Sequence, residues 1–460
     1  MIGFTIGRRK STMTIPRQRA PRFSRRSALA AVAALAALTI LAASSLLARP
    51  AAAADAGTRW IGSWMASPQR PWQDSFVLPT NLPDLPQGRI ENHTIRQVAR
   101  ISLGGRRIRI RLSNEFGSQP LRVGAVRVAL AGEGSSIMPG SDRTATFGGS
   151  RSAIIAPGAP LLSDPIDLAV ADLSRIAVSI FLPEPTPMAT FHWDARQTGW
   201  IVAGNQVAAP AWADATPMPV RLFLSGIQVE SPTATGGVVV LGDSITDGNG
   251  ATMDADTRWP DFLAGRLARW HLATLNAGIS GARLLGDLMG ANALARFDRD
   301  VLGQPGVHTL IVLLGSNDIA WPGSSFDPHG SPPDTGSLIA GYRQLAARAR
   351  ASGLRIIGAT LPPFEGALQD TPIRNYHDPQ KNRMRQRIND WMRDSGTFDA
   401  VVDIDALLRD PQHPTRLAAA YDSGDHLHPG DAGNAALAAG VAAILLQAQA
   451  ARPDPRESPQ

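Results

Sequence analysis

Gly236-Gly237-Val238-Val239-Val240-Leu241-Gly242-Asp243-Ser244-Ile245-Thr246-Asp247-Gly248 reads as a short, fully buried strand that breaks into a glycine-flanked turn. The run is apolar without alternation, as in a parallel strand covered on both faces. Ser244 follows it directly, so its hydroxyl sits at the carboxyl edge of a sheet, where α/β folds form their ligand crevices.

Downstream, the sequence alternates strands and helices. Strands are expected near Val238 to Leu241, Thr274 to Asn276, Thr309 to Leu314, Arg355 to Leu361 and Ala400 to Ile404, with a last helix from about Asp431 to Gln447. Pro260 suits the first turn of the first helix, and Asp431 is expected to cap the last. This rhythm predicts a flavodoxin-like three-layer αβα domain over 236–448, with a parallel sheet.

Three further segments carry groups that belong with an activated serine. A serine hydroxyl needs a base in hydrogen-bond reach and a third group to orient that base. Asp425-His426-Leu427-His428 offers both, with the Asp425 carboxylate able to hold one ring nitrogen of His428 while the other faces Ser244. His426 and Asp422 are alternative members, although the adjacent pair Asp425/His426 tends to point apart. Acyl transfer also needs donors for the developing oxyanion. Candidates are the backbone N–H of Ser244, that of Gly281 in Asn276-Ala277-Gly278-Ile279-Ser280-Gly281, and the side-chain amide of Asn317 in Gly315-Ser316-Asn317-Asp318. Asp243, Asp247 and Asp318 are expected to cap or bind loop backbone. His93, His192, His271, His308, His329, His377 and His413 lack metal-ligand spacing and are assigned core or surface roles.

With these four segments in order, the region from about Gly236 to Ala448 resembles the SGNH hydrolases, the branch of GDSL esterases named for Ser, Gly, Asn and His. The resemblance implies Ser244 as nucleophile and first oxyanion donor, Gly281 and Asn317 as the other donors, and Asp425 and His428 as the acid and base. Gly278 is the alternative glycine. It also implies a carboxylic ester hydrolase that needs no cofactor or metal. An appended N-terminal β-domain is known among such enzymes that deacetylate polysaccharides, so the expected substrate is a small-molecule or polysaccharide ester with a short, acetyl-type acyl group. Alternatives are a lipolytic esterase for longer chains, a carbohydrate-binding protein with an inactive hydrolase-like domain, and a metal-dependent hydrolase built on the turn at 425–428.

Upstream, residues 59–230 show short alternating strands punctuated by Gly and Pro, predicting a β-sandwich or jelly roll. Gln97 to Leu103, Gly104-Gly105 and Arg106 to Leu112 read as a hairpin with Ile108, Ile110 and Leu112 on one face. Trp193, Trp200, Trp259 and Trp321 are candidates to stack on a sugar ring, with core packing expected of Trp259. The loop from Pro322 to Gly336 is expected at the rim of the site and is polar, which suits a shallow cleft.

The 460 residues contain no cysteine, so disulfides, thiolate metal sites and a cysteine nucleophile are excluded. The formal net charge of +6 invites a nucleic-acid reading, but nine of the 45 basic residues lie in 1–54, which hold no acidic residue. The remainder is net −3, with no basic excess for phosphate. Residues 1–54 read as an export signal: Arg25-Arg26 in a twin-arginine-like context, an apolar run from Ala28 to Ala48, and Ala52-Ala53-Ala54 as a cleavage site. The expectation is a periplasmic or secreted protein with no stable membrane anchor after processing. Residues 452–460 are expected to be disordered.

Overall fold

The computed structural model describes residues 59–72, 76 and 88–450. The expected signal segment and tail lie outside them. Two antiparallel sheets form the first part of the described chain. Arg59–Met65, Leu224–Ser231, Arg107–Ser113 and Pro160–Leu162 make a four-stranded sheet in that order. Thr216–Met218, Gly199–Ala203, His93–Arg100, Arg175–Leu182, Ala125–Leu130 and Arg143–Thr144 make a six-stranded one. Ile108, Ile110 and Leu112 turn inward from the first sheet and meet Ile95, Val126, Val128, Ile176 and Ile180 of the second in one apolar core, so the two sheets form a sandwich.

The expected hairpin is not formed. His93–Arg100 pairs with Arg175–Leu182 and Gly199–Ala203, whereas Arg107–Ser113 pairs with Leu224–Ser231 and Pro160–Leu162, so the two strands belong to opposite sheets. A two-residue hairpin turn needs positive φ at one or both central residues, and neither Gly104 nor Gly105 has it. Both glycines instead allow close passage: a Cβ on Gly104 would lie 2.2 Å from the Val170 carbonyl, and one on Gly105 2.5 Å from that of Glu230.

The second part is a five-stranded parallel sheet. Its strands are β1 (Gly236–Gly242), β2 (Leu272–Gly278), β3 (Val307–Leu313), β4 (Arg355–Ala359) and β5 (Ala400–Val402), in spatial order β2-β1-β3-β4-β5. This is the flavodoxin-like order, whose direction reverses between β1 and β3. Successive residues of β1 enter different cores. Val239 and Leu241 pack with helices Thr335–Ala351 and Pro379–Asp394 on one face, and Val238 and Val240 with Trp259–Leu267 and Asp431–Ala450 on the other. Pro260 lies in the first turn of its helix as expected. Asp431 is the first residue of the last helix instead of its cap, and its carboxylate accepts the Thr252 N–H and hydroxyl at 2.9 and 2.7 Å.

The sandwich covers one edge of the parallel sheet, that of β2. Thr274 on the edge strand β2 donates its N–H to Ser102 Oγ at 3.0 Å, and Gly62 donates to the Pro305 carbonyl at 3.0 Å. Leu275 presses on Gly62 so closely that a Cβ there would meet its methyl at 2.9 Å. An uncovered edge strand is a template for unwanted pairing, and here it is occupied.

Candidate active site

Ser244 opens the short helix α1 (Ser244–Asp247) immediately beyond β1. Asp243 caps it by accepting the Ile245 N–H at 3.1 Å, and Gly248, at φ 118°, ends it. A Cβ on Gly242 would lie 2.1 Å from Thr246 Oγ1, so only glycine lets the chain fold back this tightly. The Ser244 hydroxyl donates to His428 Nε2 at 2.8 Å, and His428 Nδ1–H donates to Asp425 Oδ2 at 2.5 Å. The other Asp425 oxygen accepts the backbone N–H groups of Leu427 and His428 at 2.9 and 2.8 Å, which fixes the carboxylate before it meets the ring.

Electrostatics poise the pair. Burial is the largest influence on His428 and disfavours its charged form, but the Asp425 charge and hydrogen bond, with Asp243 and Asp194 behind them, outweigh it and raise the imidazole above its ordinary value. Burial likewise opposes ionisation of Asp425, yet His428 and the two backbone N–H groups hold its carboxyl well below the usual range. The neighbouring pair Asp422/His426 is also formed, with His426 Nδ1 2.5 Å from Asp422 Oδ2, but Ser244 is bonded to His428.

Gly281 and Asn317 reach the same cavity as Ser244, which has a volume of about 240 Å³. Gly281 has φ +76°, and a Cβ on it would strike Met289 Sδ at 2.3 Å and the Trp321 ring at 2.9 Å. Gly278, the alternative, packs beneath α1, with a hypothetical Cβ 2.3 Å from the Asp247 nitrogen. Asn317 stands in helix α2 (Ser316–Ala320) beyond β3. Its Oδ1 accepts from the Tyr376 hydroxyl at 2.9 Å and one amide hydrogen goes to the Ala282 carbonyl at 3.0 Å, which leaves the other amide hydrogen to donate. Asp318 accepts the N–H groups of Leu284 and Leu285, the loop-binding role expected of it.

The cavity wall is more apolar than the polar loop after Asn317 led one to expect. Met289, Trp321, Phe326, Leu368, Ile373, Tyr376 and Leu427 line it, along with Trp193 from the sandwich. Phe326 turns in from the loop 322–334 and stacks on Trp321, ring centroids 4.7 Å apart and planes 8° apart. Trp321 is thereby buried, and Trp259 lies in the core. Trp200 pairs within the six-stranded sheet opposite Arg96, away from the cavity lining.

Two contributions escaped the sequence reading. Tyr376 orients Asn317 from 59 residues away with no motif around it. His192, assigned to core or surface, donates from Nε2 to Asp247 Oδ1 at 2.8 Å, and Asp247 Oδ2 in turn accepts both the N–H and the hydroxyl of Ser280 at 2.8 Å. The run His192-Trp193-Asp194 is the signal that was available, three consecutive chemistry-bearing side chains in an otherwise structural β-region.

An activatable serine at the switch point of a doubly wound parallel sheet, beside neutral hydrogen-bond donors, defines the class of carboxylic ester hydrolases. Residues 240–436 match the GDSL-like Lipase/Acylhydrolase family. Solved structures similar to the chain include a G-D-S-L family lipolytic protein from Desulfitobacterium hafniense DCB-2, at 16% identity and TM-score 0.35, covering 46% of this chain and 99% of that one. A catalytic mutant of an acetylxylan esterase from Geobacillus stearothermophilus is 22% identical with TM-score 0.35, over 45% of this chain and 93% of its own. An arylesterase from Agrobacterium tumefaciens str. C58 is 19% identical with TM-score 0.35, over 46% and 99%. At these scores none of them bears on what this chain acts on. No curated protein matches the sequence.

Proposed function

We propose that the chain is an exported serine esterase that removes short acyl groups, acetyl among them, from a carbohydrate alcohol through a covalent acyl-enzyme. The observation that carries the reading is the continuous hydrogen-bond relay from Ser244 through His428 to Asp425, opening on a small cavity. Ser244 Oγ attacks the ester carbonyl as its proton passes to His428 Nε2, and Asp425 stabilises the imidazolium that forms. The N–H groups of Ser244 and Gly281 and the free amide hydrogen of Asn317 receive the oxyanion. His428 then protonates the departing alcohol, and a water activated by the same ring releases the acid.

A cavity of about 240 Å³ is smaller than the ~300–1,000 Å³ typical of drug-sized sites. That size, with Trp193 at the wall, supports a short acyl group. The apolar wall favours one second reading, a lipolytic esterase for longer chains. Export is supported by Arg25-Arg26, the apolar run behind it and the alanine triplet before Asp55.

The test is hydrolysis of a p-nitrophenyl ester series from acetate to palmitate beside acetylated xylan. The expected result is acetate and butyrate cleaved far faster than dodecanoate, acetate released from the polymer, and folded Ser244→Ala losing several orders of magnitude in kcat. Faster cleavage of long chains gives the lipolytic reading, and near-normal turnover by folded Ser244→Ala ends the serine mechanism.

A further inference from the structure

The β-sandwich reaches the reacting centre through one segment. His192 closes the strand Phe191–His192, is buried, and has an acceptor at each ring nitrogen: Asp247 at 2.8 Å from Nε2 and the Ser67 carbonyl at 3.1 Å from Nδ1. Two acceptors demand two N–H donors, which is the protonated ring. Asp247 belongs to α1, three residues after Ser244, and grips Ser280 at both its backbone N–H and its hydroxyl. Ser280 immediately precedes Gly281, whose left-handed backbone presents the second oxyanion N–H. One buried carboxylate therefore locks the nucleophile helix to the oxyanion turn, and a histidine from the sandwich holds that carboxylate in place.

The next two residues extend the contact. Trp193 lines the cavity, and its N–H donates to Gln69 Oε1 at 2.8 Å. Gln69 and Trp72 in turn donate to the Met289 carbonyl at 2.6 and 2.9 Å, so the sandwich also fixes the wall residue Met289. Asp194 stands 3.4 Å from the Ser280 hydroxyl.

We propose that the sandwich is a working part of the esterase: His192 is a positioning residue that fixes the Ser280-Gly281 oxyanion turn through Asp247, and Trp193 is a specificity determinant of the acyl cavity. The proposal rests on the serine-esterase reading. Its logic is that an oxyanion donor must be fixed in advance, because reorienting it during the reaction forfeits its effect. Loss of His192 leaves the buried Asp247 one donor short, and the carboxylate is then free to release Ser280.

The test uses the full chain and a fluorophosphonate probe, whose phosphonyl oxygen occupies the oxyanion position. His192→Ala is expected to slow both labelling and kcat for p-nitrophenyl acetate by about 10- to 100-fold with KM within about twofold. His192→Gln keeps one donor toward Asp247 and is expected to recover most of the rate. Trp193→Ala is expected to raise kcat/KM for longer-chain esters relative to acetate, shifting the optimum toward longer chains. Wild-type labelling with unchanged rates in both His192 variants overturns the positioning role, as does equal loss in both that matches their loss of Tm. If neither His192 variant folds, Trp193→Ala with an unaltered chain-length profile still overturns the proposal. Absence of labelling in the wild type rejects the serine-esterase reading itself, an outcome distinct from all of these.

Discussion

At the scale of single residues, the proposed mechanism turns on how the ionised Asp425 raises the basicity of His428. A base must be neutral to accept the nucleophile's proton. His428 titrates above its ordinary value, so kcat/KM should rise with pH through that raised value and level off above it, placing the acidic limb above the ~6.5 of an unperturbed imidazole. Asp425→Asn removes the leading charge that raises it, so the limb should move to lower pH while kcat falls by ~10⁴, the cost of losing the corresponding carboxylate in the trypsin triad. A pH profile with an unmoved limb in folded Asp425→Asn contradicts this assignment. The grouping of Ser244, Asp425 and His428 by hydrogen bonds, with Asn317 at the same cavity, was legible because each stands in a short motif, and their catalytic roles are those proposed above. Tyr376 and His192 were not, because each acts on a residue more than 50 positions away, and only the folded chain brings such partners together.

At the scale of elements, the turns beyond β1, β2 and β3 converge because the strand order reverses between β1 and β3. Five parallel strands could be read from apolar runs and their spacing, since a strand buried on both faces announces itself without alternation. The antiparallel pairing could not. Arg107–Ser113 displays the predicted alternation, but alternation states which face is buried and not which strand lies alongside, and Gly104-Gly105 mimicked a hairpin signal. The turn beyond β2 offers a test of convergence. In Gly281→Ala, a side chain would occupy space held by Met289 and Trp321 at a φ of +76°, so the turn must shift. Activity is expected to drop ~10²-fold, as for one lost oxyanion donor, with a lowered Tm. Wild-type kcat in this variant would remove Gly281 from the oxyanion site.

At the scale of the whole molecule, the sandwich and the hydrolase sheet share a covered edge and a common cavity wall. Among the described residues no helix is long and apolar enough to cross a membrane. Export is the property to test at this scale. The product in the periplasm or medium should begin near Asp55, and Arg25→Lys with Arg26→Lys should block translocation, as fractionation and N-terminal sequencing will read. Normal export of that double variant points to the general secretory route, and a product retaining Ala28 to Ala48 points to an anchor.

The short stretch from His192 to Asp194 carries an implication for how such an enzyme diversifies. On the proposed reading the relay resides in the parallel-sheet half, while the other half lends Trp193 to the cavity wall and His192 to the support of the oxyanion turn. Drift in the loops around that stretch would therefore retune which esters are accepted without touching Ser244, His428 or Asp425. On that reading the appended half becomes a jaw that also steadies the cutting edge it closes on.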